Sequence, residues 1–188
     1  AKEKGVTAAE LAYEILIEND GNNFIYAPLV NYADHTFGVC KKMLDDKNAI
    51  MGLGDGGAHV GFILDAGYPT WLISYWSVKQ KAYSMEETVR RLTSDTANAA
   101  GLNDRGLLKV GLKADINIID WENVGSSDPF MTQDLPAGGK RLMQYTKGYV
   151  ATIVSGKVTY KNGKFTKERP GTVVKSVKDD EKTLEFTN

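Results

Sequence analysis

Residues 52–61 read Gly52-Leu53-Gly54-Asp55-Gly56-Gly57-Ala58-His59-Val60-Gly61. They follow an apolar run, Ala49-Ile50-Met51, and set one carboxylate among closely spaced glycines with an imidazole just behind it. A buried strand opening into a glycine-rich loop would carry Asp55 to the C-terminal rim of a parallel sheet. In α/β barrels that rim is where the chemistry is done. The competing reading is a glycine-rich turn whose Asp55 caps the next helix. This stretch alone leaves both open.

The elements around it favour the first reading. Thr7-Ala8-Ala9-Glu10 has the capping-box pattern, and Ala8, Leu11, Ala12, Ile15 and Leu16 then fall on one helical face. Asn19-Asp20-Gly21 stops that helix. Phe24-Ile25-Tyr26-Ala27-Pro28-Leu29-Val30 is a continuous apolar run, as in a strand covered on both faces, with Pro28 marking its end. Asp34 is placed to cap a second helix that turns Phe37, Cys40, Met43 and Leu44 inward. Residues 49–53 read as the next buried strand. After an aromatic stretch from Tyr68 to Tyr83, Ser84 and Glu87 suggest another capping box. Val89, Leu92, Thr96 and Ala99 line one face of that helix, and Gly101 stops it. Residues 1–103 therefore read as alternating helix and strand, the repeating unit of a parallel α/β sheet.

Downstream the pattern changes. Leu107-Leu108 and Ala114-Asp115-Ile116-Asn117-Ile118-Ile119-Asp120 read as short strands separated by a turn at Gly111. Gly125 to Gly139 reads as a polar loop. Tyr149 to Thr166 reads as two successive hairpins, turning at Ser155-Gly156 and at Asn162-Gly163, the strongest short hairpin signal. Residues 104–174 form this second region, and 175–188 are a charged tail. Two parallel strands cannot close a barrel, and a few short strands make a thin sandwich. Both regions are expected to be parts of a larger enzyme.

Composition excludes several classes. The chain has 188 residues, 42% of them apolar and 25% charged, which is globular rather than disordered usage. A net charge of -1 gives no electrostatic reason to bind nucleic acid or an anionic membrane. The single Cys40 excludes an internal disulfide framework and any multi-cysteine metal site. No apolar run reaches the roughly 18 residues of a membrane span, and a cytoplasmic location is the default expectation.

Three segments together resemble the C-terminal third of the amidohydrolase superfamily, in its N-acyl-D-amino-acid deacylase (D-aminoacylase) branch. Gly52 to Val60 is similar to the family's last barrel strand with its metal-binding Asp. Thr93 to Leu102 resembles the final barrel helix, closing on the family's Ala-x-x-x-Gly-Leu. Asp104 to Asp120 resembles the return from barrel to small β-sandwich, where Gly106-x-x-x-x-Gly111 and Ala114-Asp115 precede an apolar strand. The loop Asp134 to Gly139 and the segment Tyr149 to Gly171 are also similar to this group.

The resemblance implies an α/β chain: the C-terminal part of a metal-dependent (β/α)8-barrel hydrolase, plus the C-terminal strands of its small β-sandwich. It implies amide hydrolysis of N-acyl amino acids by a metal-activated water, with zinc as the cofactor. Asp55 matches the position that contacts the metal and shuttles the proton. For substrate binding, His59 and Trp76 are the candidates. A loop-fixing hydrogen bond is the alternative for His59, and an aromatic core is the alternative for Trp76 and its neighbours Trp71 and Tyr75. His35, Asp115, Asp120, Arg90 and Arg91 read as surface, turn, strand-end and solvated helix residues.

Two departures from the family pattern stand out. Its His-x-His, its bridging Cys, Lys or Glu and its two further histidines are absent. A metal site takes about three or more protein ligands, so this chain alone is expected neither to hold zinc tightly nor to be active. The rest of a parent chain, or a second copy, would complete the barrel. Residues 60–70 also lack the Arg with which D-aminoacylases bind the substrate carboxylate. Cleavage of a cyclic amide or related C–N bond is the alternative reaction. A non-catalytic fragment acting in assembly is the alternative of a different class.

Overall fold

The computed structural model describes residues 1–28, 30–52 and 59–174. It is a mixed helix and strand chain divided into two compact units. The first unit is Ala1–Gly67 with Ser127–Tyr145, and the second is Tyr68–Ser126 with the chain from Thr146 onward. Among the described residues, no helix is long and apolar enough to cross a membrane.

In the first unit, α1 (Ala8–Gly21) starts where the capping box places it. The Glu10 backbone N–H donates to Thr7 Oγ1 at 3.2 Å, and the Thr7 backbone N–H donates to Glu10 Oε2 at 2.8 Å. Two of the helix's orphan donors are thus satisfied. Its regular part ends before Glu18, because Asn19 and Asp20 take left-handed φ values of 53° and 55°. The second helix, α2 (Gly38–Asp45), is entered differently from the expectation. Asp34 does not cap it. Its carboxylate instead accepts from the Thr36 backbone and hydroxyl, at 3.1 and 2.8 Å, and Thr36 Oγ1 accepts from the Gly38 N–H.

Among the described residues, the apolar runs expected as buried strands form no strands. The described part of residues 24–30 forms none, with Tyr26 86% and Val30 76% exposed. Residues 49–52 form no strand either, and Ile50 is 54% exposed. An apolar run becomes a covered strand only when neighbours bond its edges and helices close its faces. Local sequence supplies neither.

The segment expected as a polar loop is instead structured. Strands β1 (Ile116–Ile119) and β2 (Gly125–Ser126) are followed by β3 (Phe130–Leu135) and β4 (Gly139–Met143). The last two form an antiparallel hairpin pairing Phe130 with Met143 and Met131 with Leu142. Pro136–Gly138 makes its turn, with Ala137 and Gly138 at φ 57° and 73°. Arg141 grips Asp134 through two bonds of 2.7 and 2.6 Å. The hairpin is joined to the first unit's other segment where the Leu142 N–H donates to the Val60 carbonyl at 2.7 Å.

The second unit holds the buried core: Leu72, Ile73, Trp76, Tyr83, Ala97, Val124 and Ala151. Four hydroxyl residues are buried with them, and each has a partner. Thr70 Oγ1 lies 2.9 Å from the Tyr149 hydroxyl, and Ser77 Oγ donates to the Tyr83 carbonyl. Thr88 and Thr159 donate to the carbonyls of Ser84 and Thr152.

The aromatic stretch folds as α3 (Tyr68–Trp71) running into a π-helix, Leu72–Lys79. The Gln80 N–H reaches back to the Tyr75 carbonyl, a five-residue step, at 2.8 Å. The wider turn lets Trp71 meet both Tyr75, stacked at 4.7 Å, and Trp76, edge-on at 5.7 Å.

Ser84 caps α4 (Met85–Leu92) by accepting from the Glu87 N–H at 3.1 Å. The Glu87 carboxylate pairs with Arg91 at 2.8 Å. The expected single helix is broken at Thr93, and α5 (Ser94–Ala99) follows. The inward face differs from the expected one. Thr88 and Ala97 are buried, whereas Val89 is 42% exposed and Ala99 is exposed. Gly101 stops α5 as expected: it sits at φ 70°, and the Gly101 and Leu102 N–H groups return to the carbonyls of Asn98 and Ala97.

Both expected C-terminal hairpins are present. β5 (Thr146–Lys147) pairs with β2. β6 (Tyr149–Val154), β7 (Lys157–Lys161) and β8 (Lys164–Phe165) complete an antiparallel sheet in the order β1-β6-β7-β8. Ser155 and Gly156 lie at φ 49° and 77°, and Asn162 and Gly163 at 48° and 73°. Two consecutive left-handed residues match the twist of the flanking strands. Leu107 and Leu108 form no strand and are 59% and 85% exposed.

Candidate functional site

Of the residues proposed from sequence for the site, Asp55 lies outside the described residues. His59 belongs to the first unit and Trp76 to the second.

His59 is exposed at φ 51°, its ring 5.1 Å from that of Phe62. Its carbonyl accepts the N–H groups of Phe62 and Ile63, at 2.9 and 3.0 Å. The backbone of His59 therefore shapes the turn that leaves the glycine-rich stretch. Trp76 is 6% exposed and lies among Trp71, Tyr75 and Tyr83. Trp71 and Tyr75 are half-buried, and they are the members of this cluster that offer more surface. His35 is exposed with its ring edge-on to Tyr32, in keeping with a surface histidine.

Among the described residues, no three His, Cys, Asp or Glu side chains come together as a metal site. They do not by themselves fit a zinc ion, which needs about three protein ligands. A shallow groove lined by Val39, Lys42, Met43, Asp46, Asn48 and Ala49 offers no such set either.

The return stretch is built around Asp115. Its Oδ1 accepts the Ser155 N–H at 2.8 Å, and its Oδ2 lies 3.4 Å from Arg105 and 4.0 Å from Lys113. Arg105 also holds Asp104 through two bonds of 2.8 and 3.0 Å. Those bonds push the Asp104 carboxyl below its ordinary range and the Arg105 guanidinium above its own. Asp120 accepts from the Asn123 side chain at the end of β1. These carboxylates are engaged as turn and strand-end groups. Arg90 is exposed and pairs with Asp95, but Arg91 is more than a solvated helix residue: its guanidinium lies 4.5 Å over the Tyr83 ring.

Glycines tighten the same stretch. Gly106 and Gly111 lie at φ 90° and 92°. A Cβ on Gly106 would fall 2.9 Å from that of Ala97, so this glycine lets the return segment lie against α5.

The chain matches the Amidohydrolase family over residues 26–160, more than half its length. It belongs to that family. Two curated proteins show partial similarity. One is an N-acyl-D-aspartate deacylase of Alcaligenes xylosoxydans xylosoxydans, 29% identical over 96 residues, covering 51% of this chain and 18% of that protein. The other is a dihydroorotase of Lactobacillus acidophilus, 33% identical over 89 residues, covering 45% of this chain and 20% of that protein. The matched part of the chain thus spans about a fifth of the length of these relatives. No solved structure matches it. The family match takes in the Asp55 stretch, the return segment and the first C-terminal hairpin, while the structure gives Asp115 and Gly106 scaffold roles within it.

Proposed function

We propose that this chain is the C-terminal part of a metal-dependent hydrolase that cleaves the amide bond of N-acyl amino acids. The observation that carries the reading is family membership over a span that includes the Gly52 to Val60 stretch with its single carboxylate. The deacylase relative supports an N-acyl amino acid as substrate, with the D series as the first to try. Residues 1–103 are assigned to the last barrel units, 104–174 to the small β-sandwich and 175–188 to a tail.

In this reading Asp55 would be one of the residues that hold the metal, and it would take a proton from the attacking water. The water oxygen bonds to the acyl carbon, the C–N bond breaks, and Asp55 returns the proton to the leaving nitrogen. Zinc is the metal implied, and its contribution is to make that water more acidic. The remaining ligands would come from the rest of the parent chain or from a second copy. His59, in the first unit, and Trp76, in the second, are each proposed for substrate binding as separate assignments.

A second reading rests on the dihydroorotase relative, whose name points to a cyclic substrate. The enzyme would then open a ring C–N bond. To separate the two, the intact protein containing this chain is assayed against N-acetyl-D-amino acids, N-acetyl-L-amino acids and dihydroorotate, before and after chelation and zinc return. Zinc-restored release of a free D-amino acid supports the first reading. Ring opening alone supports the second. Hydrolysis of none of them overturns both and leaves a non-catalytic assembly role.

A further inference from the structure

We draw no further inference here: the strongest candidate, the exposed apolar surface that Phe24, Ile25, Tyr26, Val30 and Ile50 present in the first unit, carries nothing because nothing in the structure shows what covers it.

Discussion

Asp115 Oδ1 accepts the backbone N–H of Ser155 at 2.8 Å, tying the entry to β1 to the β6–β7 turn. The neighbouring Ala114 carbonyl accepts the Gly156 N–H at 2.9 Å, so two adjacent residues clamp both residues of that turn. The Ala-Asp pair of the return stretch is therefore a staple for the sheet. Asp115→Ala leaves a backbone donor without its acceptor and is expected to cost on the order of 1 kcal/mol. Asp115→Asn keeps an oxygen in place and should cost less. Denaturant titration checks the order, and turnover by the intact protein should change little in either variant.

Gly148 and Gly156 separate two reasons for a glycine. Both have positive φ, 86° and 77°. A Cβ at Gly148 would meet the Val124 Cα at 2.6 Å, whereas at Gly156 nothing lies within 4 Å. Gly156→Ala should carry only the left-handed backbone cost, about 1 kcal/mol. Gly148→Ala adds a backbone clash and should destabilise by clearly more. Equal losses in thermal unfolding would contradict the close approach.

Leu72 is fully buried in the second unit, and Trp76 nearly so. Leu72→Ala should cost about 2–5 kcal/mol and Trp76→Ala about 3–5 kcal/mol. The assignment of Trp76 to substrate binding makes a separate claim, tested with Trp76→Phe. A rise in KM with little loss of stability supports it, and an unchanged KM limits Trp76 to packing.

The local chemistry of this fold is legible in the sequence; the long-range pairing is not. Thr7 with Glu10, Ser84, Gly101 and Asn162-Gly163 act through hydrogen bonds or φ values set within a few residues. Each of these does what its pattern suggests, except that of the expected Ser84/Glu87 capping box the Ser84 cap is made while the Glu87 carboxylate pairs with Arg91. The run from Phe24 to Val30 reads as a strand because it is apolar, but pairing requires partners that composition cannot name. The β3–β4 hairpin is hidden for the opposite reason. Its strands are half polar, and its turn places Ala137, not only glycine, at positive φ. For the candidate site, the family is legible from Asp55 and the Asp104 to Asp120 stretch together. The burial of Trp76 matches the aromatic-core alternative that the sequence left open, whereas the turn-forming carbonyl of His59 is not legible, since it depends on backbone geometry.

Acid should loosen the β3–β4 hairpin. The hydrogen bonds and charge of Arg141 hold the Asp134 carboxyl below its ordinary range. A carboxyl depressed in the folded state stabilises above its unfolded pKa, about 3.9. That contribution is lost as pH falls through the lower folded value. Amide protection in residues 130–143, taken relative to the intrinsic exchange rate at each pH, should therefore fall below about pH 4. Asp134→Asn should remove this pH dependence while raising exchange at neutral pH. An identical acid response in wild type and variant would contradict the role of the pair.

Asp55 is proposed to carry the chemistry. The most direct test measures kcat and KM of the intact protein and of Asp55→Asn on the best N-acyl amino acid substrate. Circular dichroism and unfolding are compared in parallel. The expected result is a fall in kcat on the order of 10² to 10⁴ or more with the fold retained. Turnover within a few-fold of wild type would contradict that role and return Asp55 to a helix cap.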